Sequence, residues 1–272
     1  MSKLIYEPSI PAVIAEEIET RLVAIEREEN ARILFAIESG SRAWGFPSPD
    51  SDYDVRFVYA HPVDWYLSLE PGRDVIEKPT VENIDINGWD IHKALNLLLK
   101  PNPVLLEWLS SPVRYRWDSA IADQLIALSR KITHGRACAH HYLHLADRQW
   151  KAYIEGKDFI NLKKYFYAVR PAMALRWLRL HPDIAPPMNM QTLAKGLDLS
   201  LSLISELEML LQRKGQSKEL GLGARISTID TFVQSELDWA RNHAEVGAGS
   251  RSSNYYEEAE ALFRLIVKVV PA

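Results

Sequence analysis

The sequence contains a single cysteine, no long apolar run and no excess of positive charge. One cysteine, Cys138, excludes a disulfide within the chain and is typical of proteins from a reducing compartment. No stretch approaches the roughly 18 consecutive apolar residues of a membrane-spanning helix, and the first residues lack the apolar core of a secretory signal. We therefore expect a cytoplasmic protein with no membrane partner.

The net charge of −4 gives no general affinity for nucleic acid, but the charges are unevenly distributed. Acidic residues are in excess over residues 1–100, whereas the stretch 130–180 is basic. The cations of this stretch are Arg130, Lys131, Arg136, Arg148, Lys151, Lys157, Lys163, Lys164, Arg170, Arg176 and Arg179. A nucleic-acid partner would therefore have to bind a local patch.

The spacing of apolar residues changes near Asp118, from mixed helix and strand patterns to helical patterns alone. Before it, we predict strands at 32–38, 53–59 and 81–90 and helices at 11–29, 90–100 and 104–111. After it, we predict helices at 118–131, 134–156, 159–180, 191–213, 226–245 and 254–269. The fold class is therefore α+β, with a small mixed-sheet domain at 1–117 and an all-helical domain at 118–272.

Two aspartates lie at the start of the second predicted strand, directly after a turn rich in glycine and proline. Asp52 and Asp54 are two positions apart, so their side chains share one strand face with Cα atoms about 6–7 Å apart. Paired carboxylates are the ligands that Mg²⁺ prefers, and two such ions can hold the attacking and leaving oxygens of a phosphoryl-type transfer. This pattern predicts a site for two Mg²⁺ ions, with Mn²⁺ as a substitute.

A third carboxylate from a neighbouring strand usually completes such a set and can act as a base for the attacking hydroxyl. Asp85, on the third predicted strand, is the candidate. Asp90 and Glu77 are the alternatives, although Asp90 is also placed to cap the following helix. Glu38, which precedes the motif, is more typical of a salt-bridged strand end than of a metal ligand.

Gly40 and Ser41 end the first predicted strand and offer a place for phosphate groups. A glycine at a strand-to-helix turn lets a phosphate approach the main chain, and amide and hydroxyl groups can hold its oxygens. Arg42 could add charge-assisted hydrogen bonds to the same phosphates. The alternatives are that Ser41 caps a short helix and that Arg42 is a surface cation.

Two further clusters lie in the predicted helical region. Lys163, Tyr167 and Arg170 share a helix face, where they could hold a triphosphate or stack on RNA; the alternative is a core helix with solvated cations. His140 and His144 have a spacing that zinc can use, but no acid or cysteine pair accompanies them, so no zinc site is expected.

Three stretches resemble a known family. GSRAWGFPSPDSDYD is similar to the Gly-Ser…Asp-x-Asp signature of the DNA polymerase β-like nucleotidyltransferase superfamily. GWDIHKALNLLLKPNPVLLEWLSSPVRY and KKYFYAVRPAMALRWL resemble its RNA-ligase-associated, or RlaP-type, branch. The likeness implies a catalytic pair at Asp52 and Asp54, a third acid that maps to Asp85, a palm-like sheet and a helical domain flanking the active-site cleft. It also favours a cleft-lining role for Lys163, Tyr167 and Arg170.

The sequence therefore predicts an Mg²⁺-dependent nucleotidyltransferase that moves a nucleoside monophosphate from an NTP to an acceptor hydroxyl and releases pyrophosphate. An RNA end is the preferred acceptor, because of the branch and of the basic stretch 130–180. Transfer of AMP to a protein or small molecule is the first alternative, since members of the superfamily modify all of these. A nucleotide- or RNA-binding module without turnover is the second. The sequence does not specify the oligomeric state.

Overall fold

The computed structural model describes residues 4, 6–70, 72–100, 102–132, 134–216, 220–243 and 255–270. The chain forms two compact units, each assembled from separate segments of the sequence. The sheet unit comprises Pro8–Ala43, Asp52–Ile132 and Ser250–Ala272, and the helical unit comprises Met1–Glu7, Trp44–Ser51 and Thr133–Gly249. This division differs from a single cut near residue 118, because the first and last segments of the chain each pack with the other half of the sequence.

The sheet unit is built on a mixed sheet of five strands in the order β3-β4-β2-β1-β5. The strands are β1 (Arg32–Glu38), β2 (Tyr53–Ala60), β3 (Val75–Glu77), β4 (Ile84–Asp90) and β5 (Arg114–Trp117). β2 and β4 are parallel, whereas the other neighbouring pairs are antiparallel. The three predicted strands are confirmed. The two edge strands were not predicted, because three or four residues are too few to show a periodic pattern.

Helices of the sheet unit cover both faces of this sheet. They are α1 (Ala12–Glu29), α2 (Gly40–Trp44, which ends in the helical unit), α3 (Val63–Tyr66), α4 (Ile91–Leu99), α5 (Pro103–Leu109), α6 (Ser119–Ser129) and the last helix, α12 (Tyr256–Lys268). α1 buries Ile18, Leu22 and Ile25 against one face of β2, which contributes Val55 and Phe57. Alternation along the strand therefore directs Asp54 and Arg56 to the opposite face.

The helical unit contains five helices and a small sheet among its described residues. The helices are α7 (Gly135–Tyr153), α8 (Lys163–Leu180), α9 (Met190–Lys195), α10 (Leu201–Gln216) and α11 (Ser227–Asn242). β6 (Phe159–Asn161) and β7 (Leu222–Ala224) pair antiparallel. The prediction of an all-helical domain therefore misses this sheet, and the helix predicted at 159–180 begins only at Lys163. The helix predicted at 191–213 is two helices, since the main chain leaves the helix at Gly196.

The core of the helical unit is formed by apolar faces of its helices together with residues far away in sequence. Phe46 stacks on Phe166 of α8 with ring centroids 5.0 Å apart, and Leu4 belongs to the same buried cluster. These contacts explain why the segment Trp44–Ser51, which lies inside the predicted N-terminal domain, belongs to the helical unit. None of the helices in the described ranges is both long enough and apolar enough to cross a membrane.

Candidate active site

The three predicted acids lie together at the start of β2 and β4. The two strands are parallel neighbours, and Asp54 is paired in register with Asp85. Asp52 directly precedes β2 and is exposed, and its negative charge acts on Asp54. The structure therefore brings together the three carboxylates that the sequence singles out.

A fourth charged residue, Arg56, stands between two of these acids. Its Nη2 donates to Asp85 Oδ2 at 2.6 Å and to Asp54 Oδ1 at 3.3 Å. Its Nη1 donates to the main-chain oxygens of Val55 at 2.9 Å and of Asp85 at 3.0 Å. Asp85 Oδ1 in turn accepts a hydrogen bond from Asn87 Nδ2 at 2.9 Å. The acid cluster therefore contains a built-in cation, which was not among the predicted site residues.

The surroundings of the Asp54 carboxyl group disfavour its ionised form. Burial raises the pKa of Asp54, the guanidinium of Arg56 opposes this shift, and the charges of Asp85 and Asp52 add to it. A raised pKa means that the ionised form of Asp54 is incompletely compensated by the protein. An additional cation beside Asp52 and Asp54 would supply that compensation.

Gly40 is required for the close approach of the two halves of the motif. Its φ is +58°, and a Cβ atom at this position would lie 1.8 Å from Asp54 Oδ2. The neighbouring Ser39 amide donates to the Asp54 carbonyl at 2.8 Å. Gly40 therefore allows the end of β1 to pack directly against the Asp54 carboxylate.

Glu38, the last residue of β1, lies beside the acid cluster, whereas its sequence position favours a salt-bridged strand end. It is fully buried, and its Oε1 accepts from the Asp54 amide at 3.0 Å while its Oε2 accepts from the Tyr115 hydroxyl. Within the described residues it forms no salt bridge, so the expected salt-bridged strand end is not observed. Burial raises the pKa of Glu38 to about 7. In the sequence, the contact between Glu38 and Asp54 is indicated only by the position of Glu38, an acid that ends an apolar strand shortly before Gly40-Ser41.

Ser41 and Arg42 lie on α2, the short helix that follows Gly40. Both are half-buried. Arg42 Nε donates to the main-chain oxygen of Asp52 at 3.2 Å, and its guanidinium lies 4.0 Å above the ring of Tyr53. Arg42 is therefore held beside the first acid of the cluster rather than extended into solvent.

Lys163, Tyr167 and Arg170 lie on α8 in the helical unit, and they differ in their surroundings. Arg170 is buried, donates from Nε to the Met188 carbonyl at 2.9 Å, and lies 4.8 Å from the Trp44 ring. Tyr167 is half-buried, with its ring edge-on to Phe46 at 5.7 Å. Lys163 is also half-buried. The contacts of Arg170 are those of a core residue, whereas the alternative interpretation of this helix places its cations in solvent.

Several cations of the basic stretch 130–180 form ion pairs with carboxylates. Lys151 contacts Asp147 at 2.8 Å, and Arg176 contacts the buried Glu236 at 2.6 Å. Arg179 shares Glu236, and Lys131 is paired with Glu258. These pairs reduce the positive potential that the sequence alone suggests for this stretch.

The donor chemistry at Asp52 and Asp54 suits a hard divalent cation. Asp52 is exposed, and Asp54 lacks full compensation for its charge. Yet no group of three or more His, Cys, Asp or Glu side chains in the described part of the chain is arranged to hold a metal ion. The aspartate pair therefore fits a cation, whereas both carboxylate oxygens of Asp85 already contact Arg56 and Asn87.

Comparison with known proteins gives three results. A family model described as the RNA repair pathway DNA polymerase beta family matches residues 14–265. The uncharacterized protein YcgL of Bacillus subtilis (strain 168) is 44% identical over 223 residues, which cover 82% of this chain and 85% of that protein. The crystal structure of a nucleotidyltransferase-like protein from Exiguobacterium sibiricum covers 92% of this chain at 11% identity, with a TM-score of 0.32.

Proposed function

Because the chain belongs to the RNA repair pathway DNA polymerase beta family, a nucleotidyltransferase family, we propose that it transfers a nucleoside monophosphate from an NTP to a hydroxyl group at an RNA end, with Mg²⁺ as cofactor. The leaving group would be pyrophosphate. The observation that carries this proposal is the acid cluster, in which Asp52, Asp54 and Asp85 lie side by side at the start of two parallel strands.

In this proposal, Asp52 and Asp54 hold the divalent cation, with Mn²⁺ as a substitute for Mg²⁺. When bound, the cation neutralises phosphate charge and activates the attacking oxygen. The protein holds Asp54 in place, since the Asp54 amide donates a hydrogen bond to the buried Glu38 and the Asp54 carboxylate packs against Gly40. Rigid placement of charge is the main contribution that a protein makes to this class of transfer.

We assign the β- and γ-phosphates of the NTP to the main chain at Gly40, the hydroxyl of Ser41 and the guanidinium of Arg42. Arg42 supports this assignment, because its bond to the Asp52 carbonyl keeps a cation directly beside the acid cluster. Lys163 and Tyr167 remain proposed contacts of the nucleotide or of RNA. The buried position of Arg170 supports a structural role instead.

Asp85 is the third acid of the proposed site by its position beside Asp54. Its role as the base for the acceptor hydroxyl stays a prediction, because its carboxylate oxygens would have to exchange Arg56 or Asn87 for the acceptor. Asp90 is not needed for this role, since it caps α4 and accepts from the Tyr66 hydroxyl. Glu77 is exposed and paired with Arg73.

The direct test is release of pyrophosphate from each of the four NTPs with Mg²⁺ and RNA acceptors that carry free terminal hydroxyls. We expect Asp52→Asn and Asp54→Asn each to lower the rate by at least on the order of a hundredfold, because each removes charge at the reacting phosphate. Glu77→Gln, an exposed acid on the same sheet, is the matched control and should keep the wild-type rate. Equal rates in all variants would contradict the proposal.

The acceptor is identified by following transfer of label from an α-labelled NTP in cell extract. We expect ribonuclease to remove the label, since the family description refers to RNA repair. Removal by protease instead would indicate AMP transfer to a protein. Nucleotide or RNA binding without any pyrophosphate release would indicate a binding module.

A further inference from the structure

The Arg56 guanidinium is held at the acid cluster by four hydrogen bonds, two of which do not involve carboxylates. Nη1 is anchored by the carbonyls of Val55 and Asp85, and Nη2 reaches the carboxylates of Asp54 and Asp85. The Arg56 side chain is 19% exposed. A guanidinium anchored on the main chain keeps its position independently of the carboxylates it contacts, and displacing it would leave a partly buried cation without partners.

The same strand register places Asn87 beside Arg56, and together they occupy the Asp85 carboxylate. Arg56 and Asn87 are paired across β2 and β4, two residues further along the strands than the Asp54–Asp85 pair and on the same face of the sheet. Asp85 Oδ2 accepts from Arg56 and Asp85 Oδ1 from Asn87. Both oxygens that would coordinate a metal are thus engaged by side chains fixed on the sheet.

The other acids of the cluster are arranged differently. Asp52 is exposed, and Asp54 uses only Oδ1 for Arg56, at the longer distance of 3.3 Å, while Oδ2 faces Gly40. Coordination of a divalent cation by Asp52 and Asp54 would therefore leave the bond between Arg56 and Asp85 intact. A cation on the Asp85 side would have to replace that bond.

We propose that this chain binds a single divalent cation at Asp52 and Asp54, and that Arg56 permanently supplies the second positive charge between Asp54 and Asp85. This inference rests on the proposed function and departs from the expectation of two metal ions. Arg56 is then a positioning residue: it fixes the Asp54 carboxylate and offsets the repulsion between Asp54 and Asp85. Asp85 is then not a metal ligand, because its Oδ2 stays bonded to Arg56.

The test is the number of Mn²⁺ ions bound per chain, counted by electron paramagnetic resonance of free Mn²⁺ with the full-length protein. The titration is done with and without an NTP analogue in which a methylene group bridges the α- and β-phosphates, and the ions held by the analogue alone are subtracted. We expect one protein-dependent ion in the wild type. Two such ions, or none under either condition, would overturn the inference.

Variants separate the roles of the individual side chains. Asp54→Asn should abolish Mn²⁺ binding. Asp85→Asn should keep one ion, with an affinity lowered about 10- to 100-fold, as is typical for a residue that supports a metal ligand without touching the metal. Arg56→Met removes the built-in charge and should admit a second ion, while Arg56→Lys should retain one. If the wild type binds two Mn²⁺ ions and Asp85→Asn binds one, a metal ion displaces Arg56 from Asp85.

Failure of this inference is distinguishable from failure of the proposed function. If two Mn²⁺ ions bind and pyrophosphate release still requires Asp52 and Asp54, only the role of Arg56 is wrong. If Asp52→Asn and Asp54→Asn change neither Mn²⁺ binding nor pyrophosphate release, the proposed site itself is wrong. Thermal unfolding of each variant identifies any variant that fails to fold. If Arg56→Met fails to fold, the number of Mn²⁺ ions bound by Arg56→Lys, which preserves the charge, is compared with the number bound by Asp85→Asn.

Discussion

At the scale of single residues, the Asp54 carboxylate leaves no room for a side chain at Gly40. Gly40→Ala would place a methyl group 1.8 Å from the former position of Asp54 Oδ2 and would retain a φ of +58°, which L-residues disfavour. We expect a loss of about 2–3 kcal/mol in the free energy of unfolding, from clash and strain together. Because the carboxylate must move, we also expect loss of Mn²⁺ binding and of pyrophosphate release.

Gly156→Ala is the matched control for this prediction. Gly156 has a φ of +69°, but nothing lies within 4 Å of the added Cβ. Its substitution should cost only the conformational penalty of about 1 kcal/mol and leave the rate of transfer unchanged. If both variants lose the same stability and keep full activity, close packing of Gly40 on Asp54 has no functional importance.

The aspartates could be predicted from the sequence, whereas their supporting residues could not. Asp52 and Asp54 follow from the alternation of a strand, and Asp85 follows from the next strand with an acid near its start. Glu38 and Arg56 act through contacts that depend on strand register. The bond from Tyr115 to Glu38 requires β5 beside β1, and the bond from Arg56 to Asp85 requires β4 beside β2. Local patterns do not specify these neighbours.

At the scale of elements, Asp90 connects the end of β4 to the start of α4. Its side chain accepts from the His92 amide at 2.7 Å and from the Tyr66 hydroxyl at 2.7 Å, and it is buried. We expect Asp90→Ala to lower the free energy of unfolding by roughly 2–3 kcal/mol, because the helix loses its cap and the Tyr66 hydroxyl loses the group to which it donates. Chemical denaturation measures this loss.

Asp90→Asn is the control, because asparagine also caps helices well and should retain most of the stability. Both variants should bind Mn²⁺ as the wild type does at a temperature where they are folded, since Asp90 does not belong to the acid cluster. Loss of Mn²⁺ binding in Asp90→Asn with unchanged stability would instead make Asp90 the third carboxylate, which was the alternative left open by the sequence.

The sequence predicts the long helices and strands well, whereas short strands are missed and α9 and α10 are predicted as a single helix. β1, with seven residues, shows a clear apolar run, and α4 has both its aspartate cap and its apolar spacing in the sequence. β6 and β7 have three residues each and gain their stability from pairing with each other. Such strands leave no periodic signal, because their partner lies about 60 residues away in the chain.

At the scale of the whole molecule, the division into units could not be read from a linear pattern. The change of periodicity near Asp118 falls directly after β5, whereas α6 still belongs to the sheet unit. It cannot show that α12, the last helix, contacts α4 and α6, or that Phe46 packs in the helical unit. Both facts depend on contacts between segments more than a hundred residues apart.

A buried lysine in the helical unit makes the stability of the molecule depend on pH. Lys214 of α10 is 1% exposed, and its Nζ donates to the Phe46 carbonyl and lies 4.8 Å from the Phe46 ring. Burial and, to a smaller extent, the nearby charge of Lys163 lower the pKa of Lys214 to about 7, while the charge of Asp50 opposes the shift. Near pH 7 the folded protein therefore holds this proton much less tightly than the unfolded chain does.

Since the unfolded chain binds this proton up to about pH 10 and the folded protein releases it above about pH 7, stability should rise with pH between these values. From pH 7 to pH 9 the Lys214 contribution to the free energy of unfolding should increase by about 2 kcal/mol. In urea denaturation, the wild type should therefore gain this amount relative to Lys214→Met, which does not titrate. Lys195→Met, at an exposed lysine of the same unit, should track the wild type across this range. A constant difference between the wild type and Lys214→Met at both pH values would mean that Lys214 keeps its proton in the folded protein.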